Sequence, residues 1–180
     1  ECMLVANEQV AKFLLEKNLP GMFRVHLPPD PQKIDSLRKQ LRDFKVDFPE
    51  KQEYVPKDFQ NFMKKIQHDH KHDNLDKLVL TTMSQAYYGP KNEGHFGLAY
   101  QQYCHFTSPI RRYPDLYVHR VLTAYLSKQA VATEAFTKQL AKHCSACERR
   151  ADEASRYITN WLKCDYMADK VGKVFSGTIS

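Results

Sequence analysis

Between Thr133 and Lys170 the chain contains neither proline nor glycine. Pro and Gly are the residues that break helices, so a stretch this long without them has few folds open to it other than one extended helix. Phe136, Leu140, Cys144, Cys147, Ala151, Ala154, Ile158, Trp161 and Leu162 recur along it at helical spacing. The opposite side carries Glu148, Arg149, Arg150, Asp152 and Glu153, which reads as a solvated face held by i,i+4 pairs. Only 6 of the 180 residues are glycine, so few positions reach positive φ cheaply. The fold class expected is mixed α/β and predominantly helical, with a few short strands.

The same reading extends toward the N-terminus. Met3, Leu4, Val10, Phe13 and Leu14 mark a first helix, ended by Asn18-Leu19-Pro20-Gly21. Met22 to His26 reads as a short strand. Asp30-Pro31 is a helix start, with Asp able to cap and Pro in the first turn; Ile34, Leu37, Leu41 and Phe44 follow on one face. Residues 47–56 read as a loop. Phe59, Phe62, Met63 and Ile66 mark a short helix, and Leu75 through Ala86 another, ended by Gly89-Pro90. Residues 95–106 read as extended, in two short strands around a turn, and a helix with Pro114 near its start runs on to Leu126.

Lys and Arg number 27 and Asp and Glu 21, a net charge of +6, which favours a polyanionic partner such as nucleic acid. The longest apolar runs fall far short of the roughly 20 residues of a membrane span. The five cysteines are an odd, sparse set, which points to a reducing compartment, taken to be the cytoplasm, rather than to a disulfide framework. Cys144-Ser145-Ala146-Cys147 continues the helical pattern. Small apolar residues on a helix face explain it better than a metal or redox site. The run His68-Asp69-His70-Lys71-His72-Asp73 reads as a solvated loop.

Chemistry concentrates in Thr107-Ser108-Pro109-Ile110-Arg111-Arg112-Tyr113-Pro114-Asp115. Ser or Thr before Pro reads as a helix N-terminus, whose free N–H groups and positive dipole end hold anions. Two adjacent guanidinium forks and two hydroxyls complete a phosphate cradle, with Tyr103, Phe106 and Tyr113 able to stack on bases. An equally good account of the same residues is a helix cap whose arginines pair with Asp115 or with surface carboxylates. His95, His105 and His119 lie near no nucleophile arrangement and read as structural hydrogen-bonders. The scattered carboxylates supply no magnesium site, so no metal ligand is expected in this chain.

The run His95-Phe96-Gly97-Leu98, then Tyr103 through Asp115, then His119 resembles the signature of the RNB family of 3′→5′ exoribonucleases. Glu1-Cys2-Met3 with Ala6-Asn7, Phe23-Arg24-Val25-His26, Glu148 through Ala154 and Trp161 through Asp165 extend the resemblance over most of the chain. It implies processive hydrolysis of single-stranded RNA to nucleoside 5′-monophosphates. It also implies Mg²⁺ held by a cluster of aspartates that lies upstream of this segment. Residues 1–171 would be the C-terminal portion of the catalytic domain, and 172–180 the first strand of an S1 RNA-binding domain of the OB fold, cut before its barrel closes. The upstream half of the RNB domain and the S1 domain would be partners in the same polypeptide. By the same resemblance Arg111 is catalytic, stabilising charge at the scissile phosphate. Arg112, Thr107, Ser108, Tyr113 and Glu1 bind RNA, Glu1 near the 3′-terminal ribose. Relatives carry two basic residues where this chain has Thr81-Thr82-Met83-Ser84-Gln85-Ala86, so their phosphate contacts do not carry over. The alternative is a non-catalytic basic RNA-binding module. Alone, the chain is expected to be inactive and to self-associate through 22–26 and 95–106.

Overall fold

The computed structural model describes residues 1–67 and 75–176. The order is α1 (Cys2–Glu16), β1 (Phe23–Val25), α2 (Pro31–Asp43), α3 (Pro56–Gln67), α4 (Leu75–Thr82), β2 (Tyr87–Gly89), a 3₁₀ turn (Phe96–Leu98), α5 (Tyr113–Leu126) and α6 (Glu134–Ala168). The fold is mixed α/β and helix-rich, as the scarcity of glycine implies. Asp30 caps α2, its Oδ1 accepting from Gln32 N at 2.8 Å with Pro31 in the first turn. Thr133 caps α6 in the same way, accepting from Phe136 N. The His68–Asp73 run lies outside the described residues.

β1 and β2 form an antiparallel pair with Phe23 opposite Gly89, Arg24 opposite Tyr88 and Val25 opposite Tyr87. One core lies around this pair: Leu14 of α1, Met22, Phe23 and Val25, Cys104, Val118 and Val121 of α5, and Ala141 of α6. α6 is tied to β2 by Ser145, whose Oγ accepts from Tyr88 N at 2.9 Å. The second core joins α2, α3 and α4 through Ile34, Leu37, Leu41, Phe59, Phe62, Ile66, Leu75 and Val79.

Phe48 belongs to that second core although it sits in the 47–56 loop. It is 1% exposed, its ring centroid 5.5 Å from Tyr54, 5.3 Å from Phe59 and 4.8 Å from Phe62. Phe48→Ala is therefore expected to lower stability by about 3–5 kcal/mol, as for other buried phenylalanines. Urea unfolding of the two proteins measures it, and a loss under about 1 kcal/mol would place the loop outside the core.

Several expectations are corrected. α4 stops at Thr82, so Ala86 is not helical. Tyr87 and Tyr88 instead pair with β1, because aromatic residues suit a strand once a partner edge is present. Residues 95–106 form no regular strand. His95 pairs singly with Tyr100 and with His26, and Cys104 with Phe23, around the 3₁₀ turn. Phe44 lies past the end of α2, half exposed. On α6 the buried positions are Thr137, Ala141 and Ser145; Phe136, Ile158, Trp161 and Leu162 are exposed. Residues 172–176 form no strand, and 177–180 lie outside the described residues. The segment 22–26 is not an open edge. Met22, Phe23 and Val25 are buried, and Arg24 N donates to Tyr103 O. Exposed apolar side chains include Leu98 within 95–106, and also Met3 and Val5 on α1 and Tyr157, Trp161 and Tyr166 on α6.

Candidate nucleic-acid interface

The segment from Phe106 to Arg112 belongs to no sheet or helix. The helix N-terminus expected at Ser108-Pro109 is displaced: α5 begins at Tyr113, with Arg112 at its N-cap and Pro114 in its first turn. Pro109 instead enters a turn closed by Ser108 O, which accepts from Arg111 N at 3.3 Å and Arg112 N at 3.1 Å.

The two arginines part company here. Arg112 Nη2 donates to Asp115 Oδ2 at 2.8 Å, and Asp115 is fully buried. The same oxygen accepts from Ser108 N at 2.8 Å. Arg112 is thus engaged within the protein, as the cap account of these residues proposed. Arg111 is exposed, and its guanidinium has no hydrogen-bond or ion-pair partner among the described residues. Thr107 and Ser108 are half-buried beside it, their hydroxyls taken by no described side chain. Tyr113 is 45% exposed, and its phenolic oxygen accepts from Arg120 at 3.4 Å. Glu1 is exposed at the N-cap of α1, its side chain making no cap hydrogen bond.

Other residues support this surface; of these only His119 was named for its chemistry in the sequence, as the structural hydrogen-bonder it is. Asn7 is buried on α1 and reaches the segment from the other side. Its Oδ1 accepts from Phe106 N at 3.0 Å and Thr107 N at 3.2 Å, and its Nδ2 donates to Tyr103 Oη at 3.0 Å. An amide among the apolar residues of the first helix was the available signal. His119 stacks on Phe106 at 4.0 Å and its Nε2 donates to Phe106 O at 2.9 Å. Behind it, Arg24 donates to Glu148 at 2.6 Å and lies 4.6 Å over the Tyr88 ring. Glu148 is therefore not part of the solvated face of α6.

The histidines beneath the turn are structural. Tyr88 Oη lies 2.9 Å from His105 Nδ1. Burial, helped by the Arg112 and Arg24 charges, lowers the His105 pKa to about 4. Burial beside His26 and Arg24 does the same for His95, also to about 4. Both titrate at 6.5 when exposed. Between those values the unfolded chain binds more protons than the folded one, so stability rises with pH through this window and is lost on acidification. Urea midpoints are expected to be highest above about pH 6.5 and to fall toward pH 4. His105→Gln should flatten part of that slope. A midpoint that rises on going from pH 7 to pH 5 contradicts the assignment.

A guanidinium that is exposed and unpaired among the described residues, on a turn tied to buried anchors, has the chemistry to hold an anion, and it sits in a helix-rich fold with a two-stranded sheet. The chain belongs to the RNB family: the RNB domain model matches residues 1–128. Among its relatives, Ribonuclease R of Escherichia coli K12 is 41% identical over 192 aligned residues, covering all of this chain and 24% of the relative. Among solved structures, Mycoplasma genitalium RNase R in complex with ribose methylated single-stranded RNA superposes with a TM-score of 0.87 at 26% identity, over 99% of this chain and 29% of that one. Yeast Ssd1, described as a pseudonuclease, gives a TM-score of 0.67 at 25% identity over 79% of this chain and 18% of that one. The chain thus spans about a quarter of the length of the curated relatives it matches.

Proposed function

We propose that these residues are the C-terminal part, 1–171, of the catalytic domain of a processive, cytoplasmic 3′→5′ exoribonuclease, leading at 172–180 into an S1 domain. The substrate is single-stranded RNA and the products are nucleoside 5′-monophosphates. The observation that carries this is Arg111, exposed and without a partner among the described residues on the turn of the family's signature. Its planar fork engages two oxygens of the phosphate at the scissile bond and stabilises the charge that develops there. Thr107 and Ser108 donate their hydroxyls to the phosphate backbone, Tyr113 offers a face to a base, and Glu1 accepts from the terminal ribose. Arg112 acts on RNA through the turn it fastens rather than by a fork of its own.

Among the described residues no three His, Cys, Asp or Glu side chains converge on a point that would hold a metal ion. These residues do not fit a magnesium site. A divalent ion that takes part in the reaction is held by carboxylates outside these described residues. The apolar side chains left exposed on α1 and on α6 are the surface against which the rest of the polypeptide packs.

The test is product analysis with the complete enzyme on single-stranded RNA labelled at one end or the other. Nucleoside 5′-monophosphates should appear from the 3′ label first and without internal fragments. Release of the 5′ label first, or endonucleolytic fragments, sinks the assignment. A second function, RNA binding without hydrolysis, is favoured by the likeness to the Ssd1 pseudonuclease. RNA retention without any product from the complete enzyme would establish it.

A further inference from the structure

The segment carrying Arg111 has no secondary structure of its own, so something else must set its position. Two buried polar side chains do so from opposite sides. Asn7 is 3% exposed and holds the backbone where the segment enters, accepting from Phe106 N and Thr107 N. Asp115 is 0% exposed and holds the next residue, accepting from Ser108 N while it draws in Arg112. Three consecutive N–H groups are thus fixed by side chains from α1 and α5. The carbonyl of the third, Ser108, closes the turn onto the N–H of Arg111 and of Arg112. Ile110 at the crest of the turn is fully exposed, so no packing against it fixes the conformation from outside.

We propose that Asn7 and Asp115 are positioning residues for Arg111: they fix the 106–112 backbone so that one guanidinium, not two, faces the RNA phosphate. This rests on Arg111 holding that phosphate. Asn7 suits its post because one amide oxygen serves two N–H groups while its own NH₂ is satisfied by Tyr103 Oη at 3.0 Å. Asp115 suits its post because its charge occupies Arg112, which otherwise would compete with Arg111 for the same anion. A displacement of about 1 Å at a reacting group costs on the order of 10²-fold in rate, so a loosened turn reads out in turnover before it reads out in binding.

The experiment is a double-mutant cycle on turnover at saturating single-stranded RNA, with RNA affinity measured in parallel, in the complete enzyme. Asn7→Ala is expected to lower turnover by about 10- to 100-fold with affinity changed less than about threefold. In an Arg111→Ala background the same substitution should lower turnover by less than about threefold, because the group it positions is already gone. Asp115→Asn frees Arg112, so turnover should fall while affinity holds or rises. Should Asn7→Ala not fold, Asn7→Asp, which keeps the acceptor oxygen, carries the rescue arm: it should retain most of the turnover. Losses at Asn7 and Arg111 that multiply, or turnover and affinity falling together in Asp115→Asn, overturn the positioning role. If Arg111→Ala itself leaves turnover intact, the phosphate role of Arg111 fails first, and the cycle shows it in its first arm.

Discussion

Purified alone and freed of contaminating nuclease, the 180 residues are expected to release no nucleoside monophosphate from single-stranded RNA, with or without added magnesium. Phosphodiester hydrolysis in a two-metal site needs carboxylates that bridge the ions and lower the pKa of the attacking water. Among the described residues no such group of ligands converges. Arg111 can hold a phosphate but cannot deprotonate water, since a guanidinium does not give up its proton in this range. Adding the remainder of the polypeptide should restore product. Magnesium-dependent mononucleotide release by the isolated chain contradicts the account.

In the complete enzyme, Arg111→Ala is expected to cut the rate by about 10²–10³, equivalent to roughly 3–4 kcal/mol of transition-state stabilisation. A donor aimed at developing charge contributes mainly in the transition state, so the loss belongs to turnover. RNA affinity is spread over many phosphates, and removing one contact should lower the salt slope by only about 0.7. Arg111→Lys should recover little, because an ammonium cannot reproduce the two-point fork. Single-turnover and binding measurements at two salt concentrations separate these terms. Equal losses of affinity and rate, with turnover at saturation unchanged, would make Arg111 a uniform binding contact.

Where the sequence spoke through local rules, the fold follows it. α6 was legible because nothing between Thr133 and Lys170 interrupts a helix, and α2 because Asp30-Pro31 caps and starts one. β2 was not legible, because three residues are too short to show alternation and their pairing depends on β1, far away in the chain. The stripe on α6 was read from spacing alone, and the buried positions of the helix all lie in its first half. Ile158, Trp161 and Leu162 have the right period and no described neighbour to bury them. The site divided the same way. The signature located the segment and its resemblance located the family. Which arginine is free depended on Asp115 lying in the first turn of a helix that starts at Tyr113 rather than at Ser108. Asn7 lies at a separation no local pattern reports, 99 residues before Phe106 N.

The most direct test of the central claim is the structure of the complete enzyme with a non-hydrolysable single-stranded RNA in place. The Arg111 guanidinium is expected within about 2.7–2.9 Å of an oxygen of the phosphate at the 3′ end, with Arg112 still on Asp115. Arg111 turned to solvent or to a protein carboxylate, with Arg112 on the phosphate instead, would contradict it.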